Sequence, residues 1–524
     1  MSRPHRRAPL VALLAGFVAV VATAGCFLPV VMPTGGADPD HPVGLPPSSS
    51  PGGPAWSRCD DVPAKLVGQG ARGMRYDCAT ISVPADWGGG AGGDKLELSL
   101  IRIRSADQSR RIGSLLVNPG GPGASGVDTA VYLSFGPSYG GLPTEITRRF
   151  DIVGFDPRGV GRSSPIKCMG DRDMDAYFGA DPDPRTQEEF DQVAAIRQKL
   201  VAGCVRKYGD DLRYYSTEQT ARDIDAIRAA VGDDKTTYLG YSYGTLLGAT
   251  YAQLFPEKVR ALVLDGAVDP EQDIVAGSES QAKGFERAFT NFTTWCRNTP
   301  KECRVAPDAR AAMTDALEKA RSSPMRASDG REVTAGWALW AAVSSLYTEQ
   351  GWKELADALE DYQRGNPRGI LKLADRYAER TDAGAYSNLF DANSAINCTD
   401  SDTSLTANKI RSYQEQWRAK YPLFGAPIAV DLITCAQWSA PRDPYPTGAA
   451  KGAPPIVVVG TTGDPATPYE QTGRLADMLG VGHVLTWQGE GHTAYPQTPC
   501  VTNAVDEYLI NLTVPADGKT CPAR

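Results

Sequence analysis

Short apolar runs alternate along this chain with longer stretches in which apolar residues return every three or four positions. The runs read SLLVNPGG, FDIVGFDPRG, TTYLGYS, ALVLDGAV, PIVVVGTTGD and HVLTWQG. Such runs are typical of strands buried on both faces of a parallel sheet, and the longer stretches predict the helices that cover it. Upstream, TISVPAD and KLELSLIRIRS alternate apolar and polar residues around the glycine-rich residues 88–93, which predicts an antiparallel hairpin. The pattern therefore predicts an α/β fold with a mostly parallel sheet and an N-terminal antiparallel hairpin.

The character of the chain changes between residues 270 and 450. Amphipathic helical patterns rich in Trp, Tyr and Arg replace the apolar runs there, and two apolar runs follow. We therefore predict a helical cap, residues 270–450, inserted into an α/β domain formed by residues 56–269 and 451–524. Within that domain, STEQ at residues 216–219 has the pattern of a capping box and predicts a helix over residues 216–231.

The first residues have the pattern of an export signal. Arg3, Arg6 and Arg7 precede the apolar residues 8–24, and TAGC ends at Cys26. The apolar stretch is too short for a permanent membrane span, so residues 1–26 predict export. TAGC also resembles the bacterial lipobox, which predicts lipidation of Cys26 and attachment to the outer face of the membrane, with plain secretion as the alternative. The Pro-, Gly- and Ser-rich residues 27–55 predict a disordered linker.

Charge and cysteine content narrow the class of protein. The 524 residues carry a formal net charge of -8 with no basic stripe, so nucleic acid is not an expected partner. Eleven cysteines less Cys26 leave an even number, which suits five disulfides in an oxidising compartment. The shortest loops favour the pairs Cys296 with Cys303 and Cys500 with Cys521, although sequence leaves the connectivity open. No cysteine or histidine spacing suits a metal, so neither a metal nor another cofactor is expected.

The sequence LGYSYGTLLG places Ser242 between Gly240 and Gly244, after an apolar run and before a helical pattern. A sharp strand-to-helix turn pushes the serine hydroxyl out over the sheet and needs glycines where neighbouring backbone passes closely. A GxSxG match alone is a weak signal, but this context predicts that Ser242 is a nucleophile rather than a small residue in a turn.

A serine nucleophile needs a base and an acid that orients the base, and on this fold they follow in the order Ser, acid, His. Two histidines lie downstream. His492, in the loop sequence GEGHTAYP, is the predicted base, and His483, at the start of the preceding run, is predicted to be a packed or solvated imidazole. Asp464 ends the run IVVVGTTGD and is the predicted acid. Asp265, which ends ALVLDG, is the alternative.

The glycine-rich sequence NPGGPGASG follows an early apolar run and predicts an oxyanion hole formed by the N–H groups of Gly121 and Tyr243. The same glycines spell GxGxxG, the pattern of a dinucleotide site. Asp156, however, lies 35 residues beyond Gly121 rather than about 20, and a hairpin precedes the motif, so no dinucleotide is expected.

Five motifs in order, NPGGPGASG, FDPRGVGRSS, GYSYGT, GDPATP and GEGHT, resemble the secreted actinobacterial tripeptidyl aminopeptidases, relatives of prolyl iminopeptidase with the α/β-hydrolase fold. Pro119 stands where prolyl iminopeptidases usually carry a histidine, as suits the tripeptidyl branch. The resemblance implies an exported serine exopeptidase with Ser242, Asp464 and His492 as its catalytic residues, acting on peptides with a free N-terminus. A carboxylesterase of the same fold, and a non-catalytic binding protein on this scaffold, are the alternatives.

Selection for a free N-terminus requires a group outside the catalytic residues, and a carboxylate suits an ammonium. The cap sequence FDANSAINCTDSD carries Asp391, Asp400 and Asp402 among small residues. We predict that Asp400 binds the amine, and the alternative is that all three are exposed loop residues.

Overall fold

A computed structural model of the chain describes residues 53–89 and 93–523. The predicted export signal, Cys26 and most of the predicted linker lie outside these residues. Within them, no helix combines the length and the apolar character needed to cross a membrane.

One sheet of ten strands organises the described residues, in the order β1-β2-β3-β5-β4-β6-β7-β10-β11-β12. Strands β1 to β3 and the β3–β5 pair are antiparallel, and all pairs from β5 to β12 are parallel. The strands are β1 (Ser57–Arg58), β2 (Met74–Pro84), β3 (Lys95–Ser105), β4 (Gly113–Asn118), β5 (Phe150–Phe155), β6 (Thr236–Tyr241), β7 (Val259–Asp265), β8 (Met325–Arg326), β9 (Glu332–Val333), β10 (Ile456–Gly463), β11 (Gly482–Glu490) and β12 (Lys519–Cys521), of which β8 and β9 form a separate pair. The predicted hairpin and mostly parallel sheet are confirmed.

Helices cover both faces of this sheet and fill the segment between β7 and β10. They are α1 (Asp61–Val67), α2 (Gly126–Leu133), α3 (Thr144–Arg149), α4 (Asp171–Gly179), α5 (Gln187–Tyr208), α6 (Thr217–Val231), α7 (Tyr243–Leu254), α8 (Ile274–Asn298), α9 (Ala309–Ser322), α10 (Ala335–Leu346), α11 (Glu349–Gln363), α12 (Arg368–Ala378), α13 (Leu389–Asp400), α14 (Ala407–Lys420), α15 (Gly425–Asp431), α16 (Ile433–Ala436), α17 (Glu470–Leu479) and α18 (Pro499–Asn511). Every residue of β4, β5 and β6 is buried, as continuous apolar runs predict.

The helices from α8 to α16 lie between β7 and β10 in the chain. These two strands are parallel neighbours in the sheet. The apolar cluster of these helices also includes Phe178 of α4 and Leu200 of α5, which precede β6 in the chain. The helical layer is therefore built from two chain segments. The predicted boundaries of the cap, 270 and 450, stay a prediction.

Five disulfides pair the ten cysteines from Cys59 onward, and both pairs favoured by loop length are among them. The pairs are Cys59–Cys78, Cys168–Cys204, Cys296–Cys303, Cys398–Cys435 and Cys500–Cys521. In the helical layer, Cys168–Cys204 ties the segment before α4 to the end of α5, and Cys398–Cys435 ties the last turn of α13 to α16.

The predicted capping box of α6 forms only in part. The Ser216 side chain accepts the Gln219 N–H, as expected, but the Gln219 side-chain oxygen accepts the N–H of Trp87, 2.9 Å away. Gln219 therefore ties α6 to the end of the hairpin instead of capping its own helix.

Candidate active site

The carboxyl ends of the central parallel strands bring the predicted site residues to one edge of the sheet. Ser242 follows β6, and the loop with Gly121 follows β4. Asp464 follows β10, and His492 follows β11. In open α/β sheets this edge is where ligands bind.

Ser242 lies in a strained turn between β6 and α7. Its φ of 56° and ψ of -125° lie in a region that L-residues rarely occupy, and its N–H donates to the Asp265 carbonyl over 2.9 Å. A Cβ on Gly240 would overlap the Gly244 carbonyl oxygen, and one on Gly244 would lie 2.9 Å from the Asn118 carbonyl oxygen. Both glycines of the motif are therefore required because neighbouring backbone passes too close for a side chain. This is the reason that the sequence analysis gave for them.

His492 and Asp464 form a carboxylate–imidazole pair. Both carboxylate oxygens of Asp464 lie 2.9 Å from the His492 Nδ1, and Asp464 is fully buried. The N–H groups of Ala466 and Thr467 also donate to Asp464, and the Thr467 hydroxyl lies 3.0 Å from its second oxygen. These donors hold the carboxylate in one orientation against the ring.

The imidazole has its pKa raised by this partner. Burial lowers the pKa of His492, but the charge of Asp464 and its hydrogen bond to Nδ1 outweigh burial, so the pKa lies above its ordinary 6.5. A hydrogen bond at Nδ1 leaves Nε2 as the nitrogen available to accept a proton from a hydroxyl.

Contacts from two sides fix the His492 loop. The His492 N–H donates to the Tyr347 carbonyl over 2.8 Å, and the Tyr347 ring packs edge-on against the imidazole, with 5.3 Å between ring centroids. On the other side, a Cβ on Gly266 would lie 3.2 Å from the imidazole Cε1. Gly266 directly follows Asp265, whose carbonyl accepts the Ser242 N–H, so the serine turn and the imidazole share one stretch of backbone as their neighbour.

The alternative acid, Asp265, makes different contacts. Its carboxylate accepts the Ala494 N–H over 3.0 Å and the Tyr495 N–H over 2.7 Å, so it contacts the backbone of the histidine loop while Asp464 contacts the ring. Burial raises the pKa of Asp265 to about 7. The other downstream histidine, His483, lies within β11 in register with Val457.

The glycine loop after β4 packs directly against the serine turn. A Cβ on Gly120 would lie 2.9 Å from the Ser242 Cβ and 3.0 Å from the Tyr243 nitrogen, and the φ of Gly120 is 95°. In the part of the chain that the structure describes, the N–H groups of Gly121 and Tyr243 donate to no acceptor. Two unused N–H donors therefore lie where the glycine loop meets the start of α7, next to the serine.

The three aspartates of FDANSAINCTDSD occupy different environments. Asp391 is buried and accepts the N–H groups of Cys168 and Met169, whereas Asp402 is exposed. Asp400 ends helix α13, so the expectation of three exposed loop residues is wrong. Its carboxylate accepts the N–H and the hydroxyl of Thr217, 2.8 and 2.6 Å away, and burial raises its pKa to about 7. The assignment of Asp400 to the amine stays a prediction.

Sequence reasoning missed Glu379. This residue directly follows α12 with a φ of 50°, and it is half-buried where the sequence AERTD suggests a solvated helix end. Burial raises the pKa of Glu379 to about 7, and the nearby charges of Asp128 and Asp156 add to the effect. The Ser387 hydroxyl donates to the Glu379 carboxylate.

Tyr347 was also missed. Its ring and those of Trp340, Tyr377 and Phe390 are partly buried and pack on one another at centroid distances between 5.2 and 6.2 Å. This aromatic cluster runs from His492 to the start of α13. The positive φ of Glu379 and the packing of these aromatic rings arise only in the folded chain, so the sequence carried no clear signal for this region.

The sheet and its serine turn have the architecture of the α/β-hydrolases, and the relatives of the chain are hydrolytic enzymes; the protein is a serine hydrolase. The model of the family described as TAP-like protein matches residues 421–521. Serine protease Hip1 of Mycobacterium tuberculosis is 37% identical over 465 residues, which cover 85% of this chain and 87% of that protein. The chain belongs to this family of TAP-like α/β-hydrolases.

Two further relatives carry different names. Carboxylesterase B of Mycobacterium tuberculosis is 36% identical over 542 residues, with 99% of this chain and 100% of that protein covered. Tripeptidyl aminopeptidase of Streptomyces coelicolor is 29% identical over 451 residues, with 85% of this chain and 82% of that protein covered. The family thus includes proteins named for peptide and for ester hydrolysis.

Proposed function

We propose that this protein is an exported serine exopeptidase that releases short peptides, tripeptides in the first place, from free N-termini. The observation that carries the proposal is the pair of Asp464 and His492 beside the strained turn of Ser242, with unused N–H donors on Tyr243, which directly follows the serine, and on Gly121, in the loop packed against that turn. A serine, a base and an oriented acid are the requirements of acyl transfer through a covalent intermediate.

In this mechanism the Ser242 hydroxyl attacks the scissile carbonyl carbon while the Nε2 of His492 takes its proton. The negative charge that forms on the carbonyl oxygen is stabilised by the N–H groups of Gly121 and Tyr243. The protonated imidazole, stabilised by Asp464, gives its proton to the leaving amine as the peptide bond breaks. Water, activated by the same imidazole, then hydrolyses the acyl-enzyme ester and regenerates the serine.

The helical layer supports cleavage at a chain end. It contacts the histidine loop, where Tyr347 accepts the His492 N–H, and the glycine loop, where the Asn393 side chain donates to the Pro122 carbonyl over 3.0 Å. A site bordered by helices on both of these sides favours a chain terminus over the middle of a long polypeptide, which would need two open ends.

Activity should depend on pH through His492. The imidazole must be neutral to act as a base, so kcat/KM should fall as the pH drops through its raised pKa, with a midpoint above about 6.5. Because Asp464 raises that pKa, Asp464→Asn should shift the acid limb of its residual activity to lower pH. The measurement is kcat/KM from pH 5 to pH 9 in buffers of constant ionic strength. A flat profile over this range would argue against a histidine base.

We propose Glu379 as a carboxylate for the substrate ammonium. Among the residues that the structure describes, no lysine or arginine forms an ion pair with it. Ser387, its hydroxyl partner, lies two residues before Leu389, whose carbonyl borders Gly123 of the glycine loop. A bound ammonium would stabilise the ionised form of a carboxylate whose pKa burial has raised.

Glu379→Gln should raise KM for a free tripeptidyl p-nitroanilide by about tenfold or more, because a charge-assisted hydrogen bond is worth roughly 1.5–3 kcal/mol. Hydrolysis of p-nitrophenyl acetate, which has no amine, should change by less than about twofold. The matched control is Glu332→Gln, a change at an exposed glutamate of the same layer. An unchanged KM on the tripeptide would remove Glu379 from the amine site.

The same substrates test the function itself. An exopeptidase should cleave the free tripeptidyl substrate and should lose at least about a hundredfold in kcat/KM when the N-terminus is acetylated. The second candidate is the carboxylesterase, which the name of one relative favours. Fast hydrolysis of short esters together with no cleavage of any free or blocked peptide would establish the esterase instead.

We also propose that Cys26, which lies outside the described residues, carries a lipid after export. The five disulfides are consistent with an oxidising compartment outside the cytoplasm. Cells grown with a labelled fatty acid should label the wild-type chain, and Cys26→Ser should abolish the label. An unlabelled wild-type chain that is recovered from the medium would indicate plain secretion.

A further inference from the structure

Helix α13, Leu389–Asp400, reaches the glycine loop with its N-terminal half. The Asn393 side chain donates to the Pro122 carbonyl over 3.0 Å, and the Asn397 side chain donates to Asn393 over 3.0 Å. The Leu389 carbonyl lies so close to Gly123 that a Cβ there would overlap it. The Pro122–Gly123 peptide, one residue beyond Gly121, is therefore held by α13.

The C-terminal end of the same helix reaches the serine turn. Asp400 accepts both the N–H and the hydroxyl of Thr217, and the Thr217 oxygen lies 2.6 Å from the phenol oxygen of Tyr243. Because the Thr217 hydroxyl uses its single proton in the bond to Asp400, the phenol of Tyr243 is left to donate to Thr217. Both Thr217 and Tyr243 are buried, so water does not replace these contacts.

The spacing along α13 explains why one helix makes both contacts. Asn393 and Asp400 are seven residues apart, two helical turns, so they lie on one face at an axial separation of roughly 10 Å. The helix itself is anchored elsewhere. Its buried Asp391 accepts the N–H groups of Cys168 and Met169, and the disulfide Cys398–Cys435 ties its last turn to α16.

We propose that α13 positions both backbone donors of the oxyanion hole, Asn393 acting on the Gly121 side and Asp400 acting through Thr217 on Tyr243. The proposal rests on the proposed function, in which those two N–H groups stabilise the oxyanion. Asn393 and Asp400 are positioning residues, since each acts on a donor through another residue. An oxyanion-hole donor is effective only when it lies about 3 Å from where the charge develops, so a small displacement lowers kcat.

The test compares four variants that each break one link: Asn393→Ala, Asp400→Asn, Thr217→Val and Tyr243→Phe. Each should lower kcat between about tenfold and about a hundredfold on both the free tripeptidyl p-nitroanilide and p-nitrophenyl acetate, with KM within about twofold. This loss is smaller than the 10²–10³ typical of deleting a donor outright. A tripeptidyl boronic acid, whose adduct carries the tetrahedral charge, should bind each variant more weakly by the same factor.

Two controls separate positioning from general damage. Thr217→Ser retains the hydroxyl and should restore most of kcat, and Asp402→Asn, at an exposed aspartate two residues beyond α13, should match the wild type. Thermal unfolding of each variant reports folding, and Tyr243→Phe, which deletes one hydroxyl, is the variant least able to disturb the fold.

The outcomes are distinct. Wild-type kcat in folded Asp400→Asn, Thr217→Val and Tyr243→Phe would overturn the proposal. A rise of KM confined to the free tripeptide in Asp400→Asn, with normal ester hydrolysis, would also overturn it and would make Asp400 the amine site that the sequence suggested. Labelling by a fluorophosphonate tests the function separately, because a wild-type enzyme that is not labelled at Ser242 refutes the proposed mechanism whatever the variants do.

Discussion

Ser242→Ala should abolish turnover of peptide and ester substrates alike, with a loss of about 10⁶ in kcat, as in other enzymes that use this set of residues. The variant removes only the hydroxyl and retains a Cβ, so the strained backbone at φ 56° faces no new steric demand. His492→Ala should cost about as much, because the serine is a poor nucleophile without its base. The measurement is kcat in a fluorescent peptide assay, with circular dichroism to verify folding.

The double variant Ser242→Ala/His492→Ala should be no worse than either single variant, since residues that act as a unit are not additive. His483→Ala is the matched control and should retain activity, because His483 lies within β11. Residual activity above about 1% of wild type in either folded single variant would place the nucleophile or the base elsewhere.

Substitution of the proposed acid, Asp464, should give the second large loss of activity. Asp464→Asn should lower kcat by about 10⁴, because an asparagine at hydrogen-bond distance from Nδ1 favours the wrong tautomer of the imidazole and cannot stabilise its charged form. The variant should fold, since the asparagine oxygen can still accept the N–H groups of Ala466 and Thr467.

Asp265→Asn is the control for this result, because Asp265 is the alternative acid. It should keep kcat within about tenfold of wild type while lowering the thermal stability, because the amide group cannot replace all the contacts to the Ala494 and Tyr495 N–H groups in a buried site. If Asp265→Asn lost 10⁴ and Asp464→Asn did not, the functional acid would be the one at the end of β7.

The sequence predicted most of the sheet, because a strand buried on both faces needs a continuous apolar run and each run here is one strand. The GxSxG turn could be read for the same kind of reason, since Gly240 and Gly244 are required by local backbone contacts. Asp464 was favoured over Asp265 because it ends the apolar run that precedes the histidine run, and the structure places Asp464 against the imidazole ring.

The features that the sequence did not predict depend on contacts with residues far away in the chain. The α13 sequence LFDANSAINCTD contains residues that favour turns and caps, yet it is helical because Asp391 and Cys398 bind partners in other segments. Glu379 has its pKa raised by a burial that only the assembled helical layer creates. Gln219 fitted a local capping pattern, but its side-chain oxygen accepts the N–H of Trp87, 132 residues away.

The pairing of β7 with β10 limits when the sheet can form during synthesis of the chain. About 190 residues, most of them helical, lie between these neighbouring strands in the chain. The sheet therefore cannot be completed until the chain beyond Ile456 has been synthesised. Contacts between residues so distant in sequence form slowly, after local hairpins and helices. Ser242 is synthesised well before Asp464 and His492, so in the proposed mechanism the serine has no base while the chain is incomplete. Under that mechanism, a chain interrupted before Ile456 lacks both the acid and the base, and we expect it to be inactive.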